Sequence, residues 1–188
     1  SVPFNMEADS LNACVLGEDV KSDSDEFKLF IKEVYREITA KTGQKCTAVR
    51  RILVPEKMVD DVPQQLITKL EETVIGNPDN KMVRMGALAS KVQVERVKEN
   101  VDLLMNIQEK VYGDYDDFSI LDANKEKGAF FPPILFRNND PFLRDEVHNI
   151  EAFGPVSTLI PYKNMYEAIE LVELGRGSLV TSYVSNND

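Results

Sequence analysis

The amino-acid sequence predicts one α/β domain, a three-layer sandwich in which helices cover both faces of a mostly parallel β-sheet. Three observations predict this fold class. The chain has 188 residues, of which 43% are hydrophobic, and this is enough for one well-packed core. Short apolar runs rich in β-branched residues alternate with longer segments whose apolar residues recur every three or four positions. Strands that alternate with helices in this way usually form a parallel sheet between two helical layers.

The first elements are two strands with a helix between them. Residues 11–16 are mostly apolar, as in a strand buried inside a parallel sheet. Ser24 then precedes two acidic residues and a helical stripe of apolar side chains, so a capped amphipathic helix is expected from Ser24 to Gly43. A second strand is expected over residues 48–54, and Pro55 ends it.

The remaining elements follow the same two periodicities. Apolar residues on one face predict helices at residues 57–74, 91–112 and 164–174. Short apolar or β-branched runs predict strands at residues 118–121, 130–136, 156–160 and 179–184. Pro132 and Pro133 lack the backbone N–H that a central strand needs, so they place the second of these strands at an edge or a bend.

Composition excludes several classes of function. The formal net charge is −10, whereas nucleic-acid-binding surfaces are basic, so no nucleic-acid partner is expected. No run of about 18 apolar residues occurs, and a membrane span is therefore not expected either. Two cysteines and one histidine provide neither a disulfide framework nor the histidine pair of most catalytic zinc sites, so no metal site is expected. The expected location is a reducing cytoplasm.

Cys46 is the first candidate catalytic residue. It lies on a short turn between the end of the first helix and the following strand, a place where functional side chains are often held on a rigid scaffold. The neighbouring Lys45 and the backbone N–H groups of the turn would favour the thiolate, which is the form that attacks electrophiles. The alternative is a small, buried, apolar cysteine without a chemical role.

Two carboxylates are further candidates. Glu7 lies among apolar neighbours, where burial would raise its pKa and make it a general base near neutral pH; the alternative is a solvated loop residue. Glu151 and Phe153 enter a turn before a strand, and a carboxylate there can accept hydrogen bonds from the two hydroxyls of a ribose. The alternative for this pair is a turn with one buried aromatic residue.

Two weaker signals favour structural roles. Residues 175–178, Gly-Arg-Gly-Ser, resemble a phosphate loop in composition, but they follow a helix instead of opening one. A helix C-terminal cap is therefore expected there. His148, three residues before Glu151, is expected to be structural and not catalytic.

Taken in order, these motifs resemble one protein family. A leading segment with Glu7, then Gly-Gln-Lys-Cys-Thr-Ala around Cys46, then Glu-Ala-Phe-Gly-Pro-Val from Glu151, is similar to the motif order of the NAD(P)-dependent aldehyde dehydrogenases. The resemblance covers essentially all 188 residues. Residues 6–12 and 147–153 look most like the phenylacetic acid degradation branch, a bifunctional aldehyde dehydrogenase and enoyl-CoA hydratase of the oxepin-CoA hydrolase type. The benzoyl-CoA pathway semialdehyde dehydrogenases are close relatives of that branch.

The resemblance implies a fold of the aldehyde dehydrogenase catalytic-domain type and a mechanism. Cys46 would attack the aldehyde carbon, the thiohemiacetal would give hydride to NAD or NADP, and Glu7 would activate the water that hydrolyses the resulting thioester. Glu151 would hold the nicotinamide ribose, with Phe153 packed alongside it. Relatives that pass the acyl group to coenzyme A generally lack the glutamate, so Glu7 implies an enzyme that releases the acid.

The resemblance also implies what surrounds this chain. Residues 1–188 would be the cysteine-bearing catalytic domain of a longer polypeptide, with the nucleotide-binding domain absent. The expected substrate is a CoA-linked semialdehyde of phenylacetate or benzoyl-CoA catabolism, and the full-length enzyme is expected to be a homo-oligomer. The isolated 188 residues are expected neither to bind the cofactor tightly nor to oxidise aldehydes.

Two other interpretations stay open at this point. The chain could be a non-catalytic family member that keeps the fold as a structural module, although Cys46 and Glu7 are both present in their motifs. It could instead be a thiol redox protein that uses Cys46 with Cys14, although no Cys-x-x-Cys spacing supports this.

The segment after Glu7 departs from the family motif. Asp9 and Ser10 replace the Gly-Gly that follows the glutamate in many family members, so the backbone near Glu7 can take a different path.

Overall fold

A computed structural model describes residues 10–176 and 178–187 of the chain. Within these residues the fold is a six-stranded β-sheet with α-helices packed on both faces, which confirms the predicted fold class. The strands are Asn12–Leu16 (β1), Val49–Pro55 (β2), Glu109–Tyr112 (β3), Ile134–Arg137 (β4), Val156–Tyr162 (β5) and Thr181–Val184 (β6). The helices are Asp25–Thr39 (α1), Asp61–Glu71 (α2), Lys91–Met105 (α3) and Met165–Glu173 (α4). No helix in the described part of the chain is long and apolar enough to cross a membrane.

The sheet topology brings separate segments of the chain to one edge. The strand order is β3-β4-β5-β2-β1-β6, and every neighbouring pair in it is parallel except β3 and β4, which are antiparallel. The N-terminal ends of parallel strands lie at the same edge of a sheet. The start of β1, the turn that leads into β2 and the segment before β5 therefore meet there.

Alternating side chains of the strands supply separate cores on the two faces of the sheet. Ile52 packs with residues of α1 and α2, whereas the next residue, Leu53, packs with residues of α4. Phe136 of β4 packs with Val97 and Val101 of α3. Burial on both faces explains why the central strands β2 and β5 are mostly apolar.

The two ends of α1 are formed by different means. Ser24 Oγ accepts a hydrogen bond from the Phe27 N–H at 3.2 Å, which is the N-terminal cap that the sequence predicts. The helix ends at Thr39, earlier than predicted, and Ala40–Gly43 forms a 3₁₀-helix. In this segment Lys41 and Thr42 have positive φ angles of 53° and 55°, an unusual conformation for non-glycine residues. These residues reverse the chain direction just before Cys46.

The predicted helix over residues 91–112 is too long. α3 ends at Met105, and Glu109–Tyr112 forms β3 instead. Val111 and Tyr112 have side chains that fit a pleated strand, and β3 pairs with β4 through backbone hydrogen bonds. Pairing with a distant segment overrides the helical pattern here.

Three other predictions need smaller corrections. Residues 118–121 form no strand, because Leu121 makes only an isolated bridge with Gly76. The strand expected over 130–136 begins at Ile134, after the two prolines, and lies between β3 and β5 instead of at an edge. The helix expected over 57–74 is reduced to α2, with a short 3₁₀-helix before it.

Candidate active site

Cys46 lies exposed on the turn at the N-terminal end of β2. Gly43 has a φ angle of 69°, and a Cβ atom at this position would lie 2.2 Å from the carbonyl oxygen of Gly154. Only glycine allows both this conformation and this close approach. The contact places the cysteine turn directly against the segment that contains Glu151.

The start of β1 holds the cysteine turn from the other side. Ser10 Oγ and Asn12 Nδ2 donate hydrogen bonds to the Cys46 carbonyl oxygen, at 2.6 and 2.8 Å. Asn12 Nδ2 also donates to the Ala48 carbonyl oxygen at 2.9 Å, while Asn12 Oδ1 accepts from the Val180 N–H at 2.9 Å. Because Ser10 and Asn12 are buried, these bonds fix the backbone of Cys46 and leave its thiol exposed.

Two more side chains of the turn connect it to neighbouring segments. Gln44 Nε2 donates to the Phe153 carbonyl oxygen at 3.1 Å, and Gln44 Oε1 accepts from the Ala89 N–H at 2.7 Å. Thr42 Oγ1 donates to the Gly86 carbonyl oxygen at 3.1 Å. The residues that precede the cysteine in the motif thus hold the turn in a single geometry.

Lys45, expected to favour the Cys46 thiolate, forms an ion pair with Glu37. Its Nζ atom donates to both carboxylate oxygens of Glu37 on α1, each at 2.7 Å. A cation paired this closely exerts a much smaller net field on its surroundings than a free one. The Lys45 ammonium group is therefore engaged in an ion pair with α1.

Glu151 is nearly buried beside the cysteine turn, with 10% of its side chain exposed. One carboxylate oxygen accepts from the Ser10 N–H at 3.1 Å, and the other accepts from Arg50 Nε at 3.3 Å. The backbone carbonyl of Glu151 accepts from Asn100 Nδ2 at 2.7 Å. The ring of Phe153 lies 5.4 Å from the centre of the Arg50 guanidinium group.

One cavity of about 590 Å³ is lined by Cys46, Glu151 and Phe153 together. Three of the four predicted site residues therefore share one space, although Cys46 is more than a hundred positions from the other two in the sequence. The fourth, Glu7, lies outside the described residues. The polar lining that was not predicted consists of Ser10, Gln93, Arg96, Asn100 and Asn149.

Three of those missed residues lie on α3. Gln93, Arg96 and Asn100 recur at steps of three and four, so they face the cavity from one side of the helix. This polar stripe is visible in the sequence. It could be connected to Cys46 only once the position of α3 on the sheet is known.

Comparisons with known proteins identify the family of this chain. A profile of the aldehyde dehydrogenase family matches residues 2–188. The chain belongs to the aldehyde dehydrogenase family. A 3,4-dehydroadipyl-CoA semialdehyde dehydrogenase from Aromatoleum evansii is 40% identical over 187 residues, a match that covers 100% of this chain and 36% of that relative. The chain thus spans about a third of the length of this aldehyde dehydrogenase.

Solved aldehyde dehydrogenase structures share the fold. A γ-glutamyl-γ-aminobutyraldehyde dehydrogenase from Burkholderia cenocepacia superposes with a TM-score of 0.77 at 23% identity, over 96% of this chain and 34% of its own. A double mutant of betaine aldehyde dehydrogenase from Staphylococcus aureus, in complex with NAD⁺, gives a TM-score of 0.79 at 24% identity, over 96% and 35%. The expected fold of the aldehyde dehydrogenase catalytic-domain type is confirmed.

The second cysteine of this aldehyde dehydrogenase chain is not part of the site. Cys14 is buried in the core between the sheet and α1, and burial raises the pKa of its thiol to about 12. A thiol with so high a pKa forms almost no thiolate at neutral pH. This argues against a redox pair with Cys46.

His148 and Gly175, from the two weaker sequence signals, both make contacts that are typical of structural residues. His148 is buried, with Nδ1 3.1 Å from Arg51 Nη1 and Nε2 3.1 Å from the Pro141 carbonyl oxygen. At the end of α4, the Gly175 N–H donates to the Val172 carbonyl oxygen at 3.0 Å, as expected for a C-terminal cap. Gly177, the second glycine of the loop, lies outside the described residues.

Proposed function

We propose that this chain is the cysteine-bearing part of an NAD(P)-dependent aldehyde dehydrogenase that oxidises a CoA-linked semialdehyde to the acid. The observation that carries the proposal is the exposed Cys46, which lines one cavity with Glu151 and Phe153. The 40% identity to a dehydrogenase whose name specifies a CoA-linked semialdehyde supports the substrate class. The remaining two thirds of such an enzyme would supply the nucleotide-binding domain.

Cys46 would act as the nucleophile. Its thiolate sulfur adds to the aldehyde carbon, and the carbonyl oxygen becomes a negatively charged thiohemiacetal oxygen. The Cys46 N–H is the backbone donor expected for that oxygen. Ser10 and Asn12 donate to the Cys46 carbonyl, so they fix the next peptide unit, on the other side of the Cys46 Cα atom. When the carbonyl double bond re-forms, the hydrogen on the same carbon leaves as hydride, and a thioester on Cys46 remains.

Glu7 would release the product. Its carboxylate takes a proton from a water molecule, whose oxygen attacks the thioester carbon. The bond between carbon and sulfur then breaks, so that the acid leaves and Cys46 returns to the thiolate. This assignment rests on the family motif around Glu7 and stays a prediction, as does the expected lack of activity in the isolated 188 residues.

Glu151 and Phe153 fit a nicotinamide cofactor, which when bound accepts the hydride. The two Glu151 oxygens accept one described hydrogen bond each, from Ser10 and Arg50, whereas a carboxylate offers about four acceptor positions. The remaining positions suit the two vicinal hydroxyls of a ribose. The half-buried Phe153 ring provides an apolar surface beside them.

The test uses the full-length protein with 3,4-dehydroadipyl-CoA semialdehyde and either NAD⁺ or NADP⁺. We expect Cys46→Ala to lower kcat at least about a thousandfold, because the covalent step is lost. Glu7→Gln should accumulate a thioester, visible as an added acyl mass on the Cys46 peptide. Cys14→Ala is the matched control and should keep wild-type turnover. Substantial turnover by Cys46→Ala would contradict the proposal, and absence of turnover in the wild type would contradict the substrate or the activity.

A further inference from the structure

Arg50 occupies an irregular position in the sheet. Asn12 of β1 pairs with Val49 of β2, but the next residue, Ala13, pairs with Arg51, so Arg50 is an extra residue in β2. Pairing of β2 with β5 on its other side begins at Arg51. Bulges of this kind change the direction in which a side chain points and are frequent next to active sites. Here the bulge directs Arg50 towards the segments that form the cavity.

The guanidinium group of Arg50 contacts three residues in those segments. Nη2 donates to the Gly43 carbonyl oxygen at 2.7 Å and Nη1 to the Gly154 carbonyl oxygen at 2.6 Å, while Nε faces Glu151 Oε1 at 3.3 Å. The side chain is 4% exposed. Because the guanidinium group is planar and rigid, it fixes the relative positions of all three acceptors.

Arg50 also accounts for how Glu151 can be charged and almost buried. A carboxylate removed from water needs a charged partner or several hydrogen-bond donors. Apart from Arg50, the described donor to this carboxylate is the Ser10 N–H. Burial lowers the pKa of Arg50, and the neighbouring Glu151 carboxylate opposes that shift, so the guanidinium group remains charged at neutral pH.

We infer that Arg50 is a positioning residue for the cofactor, acting through Glu151. It holds the Glu151 carboxylate at the cavity wall and fixes the spacing between the cysteine turn and the segment from Glu151 to Gly154. This inference rests on the proposed function, because it assigns Glu151 to the cofactor. Arg50 itself faces backbone carbonyls, Glu151 and the Phe153 ring, so it affects cofactor binding without contacting the cofactor.

The test compares Arg50→Lys, Glu151→Gln and the double variant in the full-length protein. Lysine keeps the charge but cannot reach all three acceptors, so we expect Arg50→Lys to raise the KM and Kd for NAD(P)⁺ about tenfold. The aldehyde KM should change less than about twofold. Glu151→Gln should weaken the cofactor by a similar factor, and the double variant should be no weaker than Glu151→Gln alone, since both changes remove one shared interaction.

Arg51→Lys is the control, because it changes a neighbouring buried arginine that has no described contact with Glu151. It should leave the ratio of the two KM values unchanged. Arg50→Gln is a second variant, used with circular dichroism, for the case that Arg50→Lys does not fold. Independent, multiplicative effects of Arg50→Lys and Glu151→Gln on cofactor affinity would overturn the inference alone. Absence of NAD(P)⁺ binding by the wild type would overturn the proposed function, and the inference with it.

Discussion

Arg50 and Arg51 are consecutive, both are buried on β2, and yet they belong to different parts of the molecule. Arg50 bonds a carboxylate and two carbonyls beside the candidate active site. Arg51 bonds the carbonyls of Leu11, Leu171 and Val172 and contacts His148. The first arginine thus joins the segments around the cavity, whereas the second joins β1, β2 and α4 inside the core.

Residue type and burial are the same for the two arginines, so neither property distinguishes the one beside the candidate site. Burial lowers the pKa of Arg51 to about 10, so it is still charged at neutral pH, with described partners that are neutral. Such a group contributes through its hydrogen bonds to buried backbone carbonyls. Only the partner set, and above all Glu151, distinguishes Arg50 as a residue of the site.

The largest effect on stability is expected from Arg51→Met. Methionine has a similar length but no donors, so the Leu171 carbonyl would lose the donor described for it, and the Leu11 and Val172 carbonyls would each lose one. We expect the free energy of unfolding to fall by about 3 kcal/mol, since each unmet buried polar group costs roughly 1–3 kcal/mol. Urea unfolding followed by circular dichroism measures this. Wild-type stability together with weakened cofactor binding would reverse the roles assigned to the two arginines.

A smaller effect, dependent on pH, is expected from the histidine beside Arg51. Burial, together with the Arg51 charge, lowers the pKa of His148 to about 4. Arg51 donates to Nδ1, so the proton of the neutral ring is assigned to Nε2, which donates to the Pro141 carbonyl oxygen. His148 takes up a proton near pH 6.5 in the unfolded chain, but only near pH 4 in the folded protein. Stability contributed by the neutral ring is therefore complete above pH 6.5 and declines as the pH falls towards 4.

His148→Gln isolates this contribution, because glutamine can accept from Arg51 and donate to Pro141 but does not titrate. Urea midpoints measured between pH 7 and about pH 4.5 should fall more steeply in the wild type than in the variant. Parallel curves for the two proteins would mean that His148 is not held neutral by Arg51.

Local signals in the sequence predicted the elements whose ends are fixed by local contacts. The α1 start follows from the Ser24 cap, and β1, β2 and β5 follow from short, mostly apolar runs. β3 could not be predicted, because Val111 and Tyr112 continue a helical pattern and become a strand only by pairing with β4. The strand preference of these two side chains is too weak a local signal to decide between helix and strand.

At the candidate site, too, some residues have a local signal in the sequence, whereas others depend on distant contacts. Cys46, Glu151 and Phe153 were found from their motifs, and the structure brings them to one cavity. Arg50 was not predicted, because its contacts with Glu151 and Gly154 depend on a bulge, and a one-residue change of register is not visible in a single sequence. Gln93 was missed because it reaches the cavity only through the docking of α3.

The smallest effect is expected from Lys45, the cation next to Cys46 in the sequence. Its Nζ is held by both oxygens of Glu37, so Lys45→Gln should change the alkylation rate of Cys46 less than about threefold. The rate is measured with iodoacetamide at several pH values, by mass spectrometry of the Cys46 peptide. Cys14, whose thiol has a pKa raised to about 12, serves as the unreactive internal reference.

Glu37→Gln is the matched variant, because it frees the Lys45 ammonium without removing it. If pairing with Glu37 is what keeps Lys45 from acting on the thiolate, this change should accelerate labelling of Cys46, and the effect should disappear when Lys45→Gln is added. A tenfold or greater loss of reactivity in Lys45→Gln alone would show that the lysine stabilises the thiolate directly. The position of Lys45 next to Cys46 in the sequence would then determine the reactivity of the thiol more than its ion pair with Glu37 does.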